Sequence, residues 1–260
     1  MLTPFKKLFF KLGFFRRQTG LIPQPRDERD YQYVAKGEVK PIVDLRDKFP
    51  TVTNQNGFNS CTAHAVGAMW DYLLKYKKDV SWVFNSSEAY LWYWSRERIN
   101  MEDKNSGAIL RDVFKAIQEH GFVPERFWDY SDGYLNKPDR EAQLAGAFFL
   151  LYLRTLPEYR SLNSTWGGKT TELVKNALSN EYPVVFGIYT DYVFQHLKKD
   201  EWIVDTIEGK EDPHAMVVVG YTNDGFIVRN SWGENWGNEG HCIIDFDLFD
   251  LKAFDCWTLM

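Results

Sequence analysis

Four residues have the types and spacing that covalent catalysis needs: Gln55, Cys61, His214 and Asn230. A thiol attacks a carbonyl only as its thiolate, and free N–H groups with the dipole at a helix N-terminus favour that charge. Cys61 opens a segment with helical periodicity, so it meets that condition. A thiolate needs a partner that becomes an imidazolium, and His214 at the start of a β-rich run is the candidate. An imidazole needs an orienting group. Asn230 lies sixteen residues on, across a tight turn, so both side chains can reach the same end of one hairpin. Gln55 precedes the cysteine by six residues, and its amide can turn back to donate to an oxyanion. Nucleophile, base, orienter and oxyanion donor are therefore all present.

Each residue has a plainer reading. An isolated cysteine is more often a small buried hydrophobe than a nucleophile, and it is the ordered company of Gln55, His214 and Asn230 that changes the balance for Cys61. His64 forms a Cys-x-x-His pair with Cys61. No second pair follows, so it reads as a structural or surface histidine, and neither a metal nor a cofactor is expected. Cys242 and Cys256 read as two inert thiols rather than a bridge, since three cysteines make no disulfide framework. Gly167-Gly168-Lys169-Thr170 mimics the end of a phosphate-binding loop, but Asn163 stands where its first glycine belongs. Trp92, Trp94, Trp128 and Trp202 read as core or rim residues.

The elements that must carry these groups change character along the chain. Ala65, Met69, Tyr72, Leu73 and Tyr76 recur at helical steps, which predicts a helix from Cys61 to about Lys77 with Asn59 and Ser60 at its N-cap. Further helices are expected at 86–98, 108–120 with Gly121 as its stop, and 170–180, and 141–156 reads as a helix or a buried segment. Strands are expected at 183–189, 214–221, 225–231 and 240–246, the middle two joined through Asn223-Asp224-Gly225. Helices followed by strands give an α+β, two-lobed protein. The expected organisation is a basic, Phe-rich arm over residues 1–25 and an extended linker over 26–42. A body over 43–260 follows, with a helical lobe at about 50–140 and a β-rich lobe at about 141–260.

Composition excludes several classes. The 260 residues are 44% hydrophobic and 26% charged, ordinary for a globular protein. Five bases and no acid fall in the first 17 residues. The remainder has 26 basic against 36 acidic residues, which argues against binding along a nucleic-acid backbone. No apolar run is long enough to span a bilayer. The N-terminal stretch fits a signal peptide poorly because Lys11 interrupts it, so a reducing compartment such as the cytoplasm is the better fit. Phe5, Phe9 and Phe10 can share one face of a short helix, and the arm is expected to dock on its own body or on a partner protein rather than to anchor in a membrane.

Taken together, Val43-Asp44-Leu45-Arg46, Asn54-Gln55, Ser60-Cys61-Thr62-Ala63, Ser106-Gly107-Ala108, His214-Ala215 and Arg229-Asn230-Ser231-Trp232-Gly233 with Asn235-Trp236-Gly237 resemble the papain-like cysteine peptidases, in their compact bacterial branch. The resemblance covers residues 41–250. It implies a helical lobe carrying Cys61, a β lobe carrying His214 and Asn230, and a cleft between them. It implies that Trp232 shields the His–Asn hydrogen bond and that Trp236 lines the leaving-group side. Gly107 would offer its backbone to an extended peptide. Ala215 and Asn59 would also face substrate, Asn59 standing in place of a glycine and narrowing the cleft. Val43–Leu45 would sit in the β lobe away from Cys61, so the arm is expected to dock outside the cleft. The activity implied is hydrolysis of peptide or protein substrates through a Cys61 thiolate/His214 imidazolium pair and an acyl-enzyme. The alternatives are a papain-like interaction subunit with little catalysis, and a thiol acyltransferase.

Overall fold

The computed structural model describes residues 17–25, 27–80, 85–130, 135–153, 156–163, 170–199, 202–208 and 212–260. The phenylalanine-rich start of the arm and the Gly167–Lys169 tract lie outside them. Helix α1 (Cys61–Tyr76) is buried on nearly every side, as an all-round apolar helix must be. Around it pack α2 (Glu88–Glu97) and α3 (Leu110–His120). Helix α4 (Arg140–Leu153) joins them rather than the sheet. Gly121, at φ +79°, lets α3 end against α4, since a Cβ there would lie 2.1 Å from the Gly146 carbonyl oxygen. Phe122 stacks on Phe149 of α4. The helical side therefore extends past the boundary expected near residue 140.

The second half builds one mostly antiparallel sheet from β2 (Tyr159–Ser161), β3 (Val184–Thr190), β4 (Ile203–Val204), β5 (Asp212–Tyr221), β6 (Phe226–Arg229), β7 (His241–Ile244) and β8 (Phe254–Leu259). Their order is β2-β8-β3-β5-β6-β7-β4, with β1 (Val43–Asp44) pairing with β5. Helices α5 (Thr170–Ser179), α6 (Tyr192–Gln195) and α7 (Phe246–Lys252) complete this half. Strand β5 is buried from His214 onward, where α1 covers one of its faces. Its hairpin with β6 closes through the expected turn, where Thr222 N–H donates to the Gly225 carbonyl at 2.9 Å. Strand β8 has no alternation that stands out in the sequence, because nearly all of it is buried.

Residues 27–42 turn at Asp27–Asp30, where Asp30 N–H donates to Asp27 O at 3.1 Å, and then run pinned to the body. Tyr33 N–H donates to Ser161 O and Ser161 N–H to Tyr31 O, both at 2.8 Å. The Tyr33 hydroxyl donates to Asn176 Oδ1, and Lys40 N–H to Ser179 Oγ. Arg111 pairs with Asp30.

Candidate active site

Cys61 is the first residue of α1 and wholly buried; its Sγ accepts the Ala215 N–H at 3.4 Å. The cysteine helix thus abuts β5 one residue past His214. In β5, His214 pairs with Ile188 of β3. Its Nε2 meets Asn230 Oδ1 at 2.7 Å, and Asn230 stands just beyond the end of β6. The hairpin brings the two side chains together as the sixteen-residue spacing predicted. Nδ1 of His214 has no hydrogen-bond partner and is the nitrogen left for the thiol. Trp232 stacks on the imidazole at 4.4 Å between centroids and 18° between planes.

Gln55 faces the same spot. Ser231 Oγ donates to its Oε1 at 2.6 Å, which fixes the amide with its NH2 turned the other way. That NH2 donates to Phe58 O at 2.7 Å, Thr19 O at 3.0 Å and Gln18 O at 3.1 Å. Two of these acceptors belong to the arm.

Residues 17–24 lie across the site, which corrects the expectation of docking outside the cleft. Trp232 Nε1 donates to Gln18 O at 3.0 Å. Gly20 is wedged between both walls: a Cβ on it would lie 2.1 Å from Asn59 O, and one on Gly107 would lie 2.3 Å from Gly20 O. Ala108 N–H donates to Gly20 O, and Ile22 N–H to Ala108 O, both at 2.9 Å. The β-ladder expected at Gly107 is therefore made by Ala108, and Gly107 supplies room. Leu21 is buried, with its side chain against Gly187 and its N–H on Pro213 O. A Cβ on Gly187 would crowd both Leu21 and Phe254. The position of the β-lobe strand Val43–Leu45 did not forecast this route, because the pinned 27–42 segment leads the chain back around the body to the cleft.

Two further expectations change. The Asn59 side chain does not narrow the cleft; it folds onto the neighbouring loop, donating to Asn105 O at 2.7 Å, and its backbone carbonyl is what meets Gly20. Trp236 sits behind Trp232, edge-on at 5.4 Å, with its indole N–H on Phe194 O, so it supports the shielding ring. At that end the arm instead meets Gln195, whose Oε1 accepts the Arg17 N–H and whose carbonyl accepts Arg17 Nε–H. Gln195 has no motif around it, and nothing in the sequence pointed to it.

Burial shifts both reacting groups toward their uncharged forms. It pushes the Cys61 thiol up to about 12, outweighing N–H donors from Ala215 and from the helix start. It pushes His214 down to about 4 against the raising effect of Asn230. In the covered site both shifts run toward the uncharged forms. His64 is buried and structural: its Nδ1 lies 2.8 Å from Thr53 Oγ1 and 3.2 Å from Glu88 Oε1. Among the described residues no cluster of His, Cys, Asp or Glu could hold a metal ion. Cys242 and Cys256 are free and buried.

This site, on a helix packed against a buried sheet, is that of a thiol hydrolase, and the comparisons agree. Residues 39–248 match the papain family cysteine proteases, and the chain belongs to that family. It is 32% identical over 243 residues to mouse cathepsin K, covering 88% of this chain and 68% of that protein. It is 28% identical over 234 residues to an uncharacterised peptidase C1-like protein of Acanthamoeba polyphaga mimivirus, covering 85% and 73%. Among solved structures it resembles xylellain, a cysteine protease from Xylella fastidiosa, with a TM-score of 0.76 at 24% identity over 94% of this chain and 97% of that one. Procathepsin L 3 from the Tenebrio molitor larval midgut gives a TM-score of 0.71 at 20% identity over 88% and 73%. The protein is a papain-like cysteine peptidase of α+β fold.

Proposed function

We propose that Cys61 is the nucleophile and His214 the base of this peptidase, with Asn230 as orienter and Gln55 as oxyanion donor, and that residues 17–24 hold it latent. The observation that carries the assignment is the convergence of Cys61 on Ala215 beside a His214 already bonded to Asn230 under the Trp232 ring. Once the arm leaves, His214 Nδ1 takes the thiol proton and the thiolate attacks a peptide carbonyl. The oxyanion that forms is met by Gln55 Nε2 and the Cys61 N–H, donors that cost no reorganisation at that moment. The imidazolium then protonates the leaving amine. Water activated by the same nitrogen hydrolyses the thioester, which restores Cys61. Peptide and protein chains are the substrates, and the place now filled by Leu21 against Gly187 and Phe254 suits an apolar side chain.

An epoxysuccinyl thiol reagent, read by mass spectrometry, tests the assignment. Label should fall on Cys61, and Cys61→Ala should lose both label and hydrolysis while remaining folded. Label on Cys242 or Cys256, or hydrolysis surviving in Cys61→Ala, would contradict it.

A further inference from the structure

We infer that Tyr130 is a positioning residue that holds both ends of the oxyanion-binding turn. This rests on Gln55 serving as the oxyanion donor. The turn runs from Gln55 to Ser60, directly ahead of Cys61, so both proposed donors, Gln55 Nε2 and Cys61 N–H, sit at its ends. Its interior is exposed at Asn56, which has φ +52°, and at Gly57, and Asn105 ties it on the outer side by donating to Gly57 O and accepting from Asn59. Ser60 stands at the N-cap of α1, yet its hydroxyl makes no capping bond. It meets the Tyr130 hydroxyl at 2.5 Å instead. That hydroxyl in turn donates to Gln55 O at 3.0 Å. One phenol therefore bridges the first and last residues of the turn, with Ser60 as its donor and Gln55 as its acceptor.

The phenol is itself held on three sides. Its ring meets Phe58 edge-on at 5.6 Å and His64 at 5.0 Å. Its backbone N–H donates to Glu125 Oε1 at 2.7 Å. Burial pushes the phenol up, which favours its protonated, donating form. Oxyanion stabilisation is steep in geometry, since donors must already stand where the charge develops. Loss of the hydroxyl leaves Gln55 O with the Phe58 N–H alone at 3.1 Å and removes the bridge from Gln55 to Ser60, while Cys61 keeps its contact with Ala215.

The experiment compares two reactions of the full-length chain. Hydrolysis of a peptide p-nitroanilide develops an oxyanion; alkylation of Cys61 by iodoacetamide does not. Both require the arm to move aside, so their ratio cancels that step. Tyr130→Phe keeps the ring and should lower the hydrolysis-to-alkylation ratio by about tenfold, the scale of one lost hydrogen bond. Gln55→Ala should lower it by on the order of a hundredfold. The double variant should fall no more than about threefold below Gln55→Ala alone, because residues acting as a unit are not additive. Full additivity, an unchanged ratio in Tyr130→Phe, or an equal loss of both reactions would overturn the inference. An unchanged ratio in Gln55→Ala would sink the oxyanion assignment itself, and this inference with it. Should Tyr130→Phe not fold, Ser60→Ala removes the other partner and carries the same comparison.

Discussion

Gln55 carries two amide hydrogens and has three carbonyls within reach, two of them on the arm. The covered state thus presents the donors with neutral carbonyl oxygens where catalysis would present an oxyanion. When substrate replaces the arm, Gln55→Ala should lower turnover on the order of a hundredfold with little change in KM, since the interaction strengthens only as charge develops. Gln55→Glu should be worse, because a carboxylate repels both thiolate and oxyanion. Steady-state kinetics that separate kcat from KM check both, and unchanged turnover would remove Gln55 from the site. Ser231→Ala tests the same amide from behind: loss of the 2.6 Å bond to Oε1 lets the amide rotate, so kcat should fall while Cys61 still alkylates.

At the scale of elements, the arm strand from Arg17 to Gln24 is held by backbone bonds at Ala108 and Pro213 and by one buried leucine. Gly20 is its weak point, because its φ of +126° and its contact with Asn59 O exclude any side chain. Gly20→Val should therefore displace the strand without altering Gln55, Cys61, His214 or Asn230. Backbone strain of this kind costs roughly 1–3 kcal/mol, so iodoacetamide should label Cys61 about ten- to a hundredfold faster than in the parent. Displacement should also let water reach Cys61 and His214, relieving the burial that pushes the thiol up and the imidazole down and so favouring the thiolate–imidazolium pair. The acceleration should therefore persist at pH 6, where an ordinary thiol is almost wholly protonated. An unaltered labelling rate would mean that the arm does not control access.

Over the whole molecule, the helical side carries buried carboxyls that stability must accommodate. Burial raises Glu125 to about 8, with Glu88 adding to it, and raises Asp71 to about 7 despite its bonds from Ser86. A group whose folded pKa is raised contributes stability fully below its unfolded value and loses it as pH rises through the folded value. Stability from these two groups should thus decline between about pH 4 and about pH 8. Glu125→Gln keeps an acceptor for Tyr130 N–H and removes the titration. Denaturant melts of parent and variant across that range should diverge, the variant gaining relative stability as pH rises. Parallel curves would mean that Glu125 is already ionised in the folded state.

Cys61, His214 and Asn230 were legible in the sequence because each depends on local order. The cysteine needs a helix start, and the other two need a hairpin whose turn residues and spacing are written in the chain. The helix over 61–76 and the β5–β6 pair follow from periodicity for the same reason. What the sequence did not disclose lies in long-range returns of the chain. The Tyr130 hydroxyl reaches Ser60 and Gln55 from 70 and 75 residues away, and Gln195 meets Arg17 from 178 away. Ala108 rather than Gly107 pairs with the arm because register across a cleft is set by where both walls stand, not by either motif. Protonation followed the same division. Residue types indicated an ion pair, and only the tertiary structure, by burying both groups, adds the pressure that pushes the thiol up and the imidazole down.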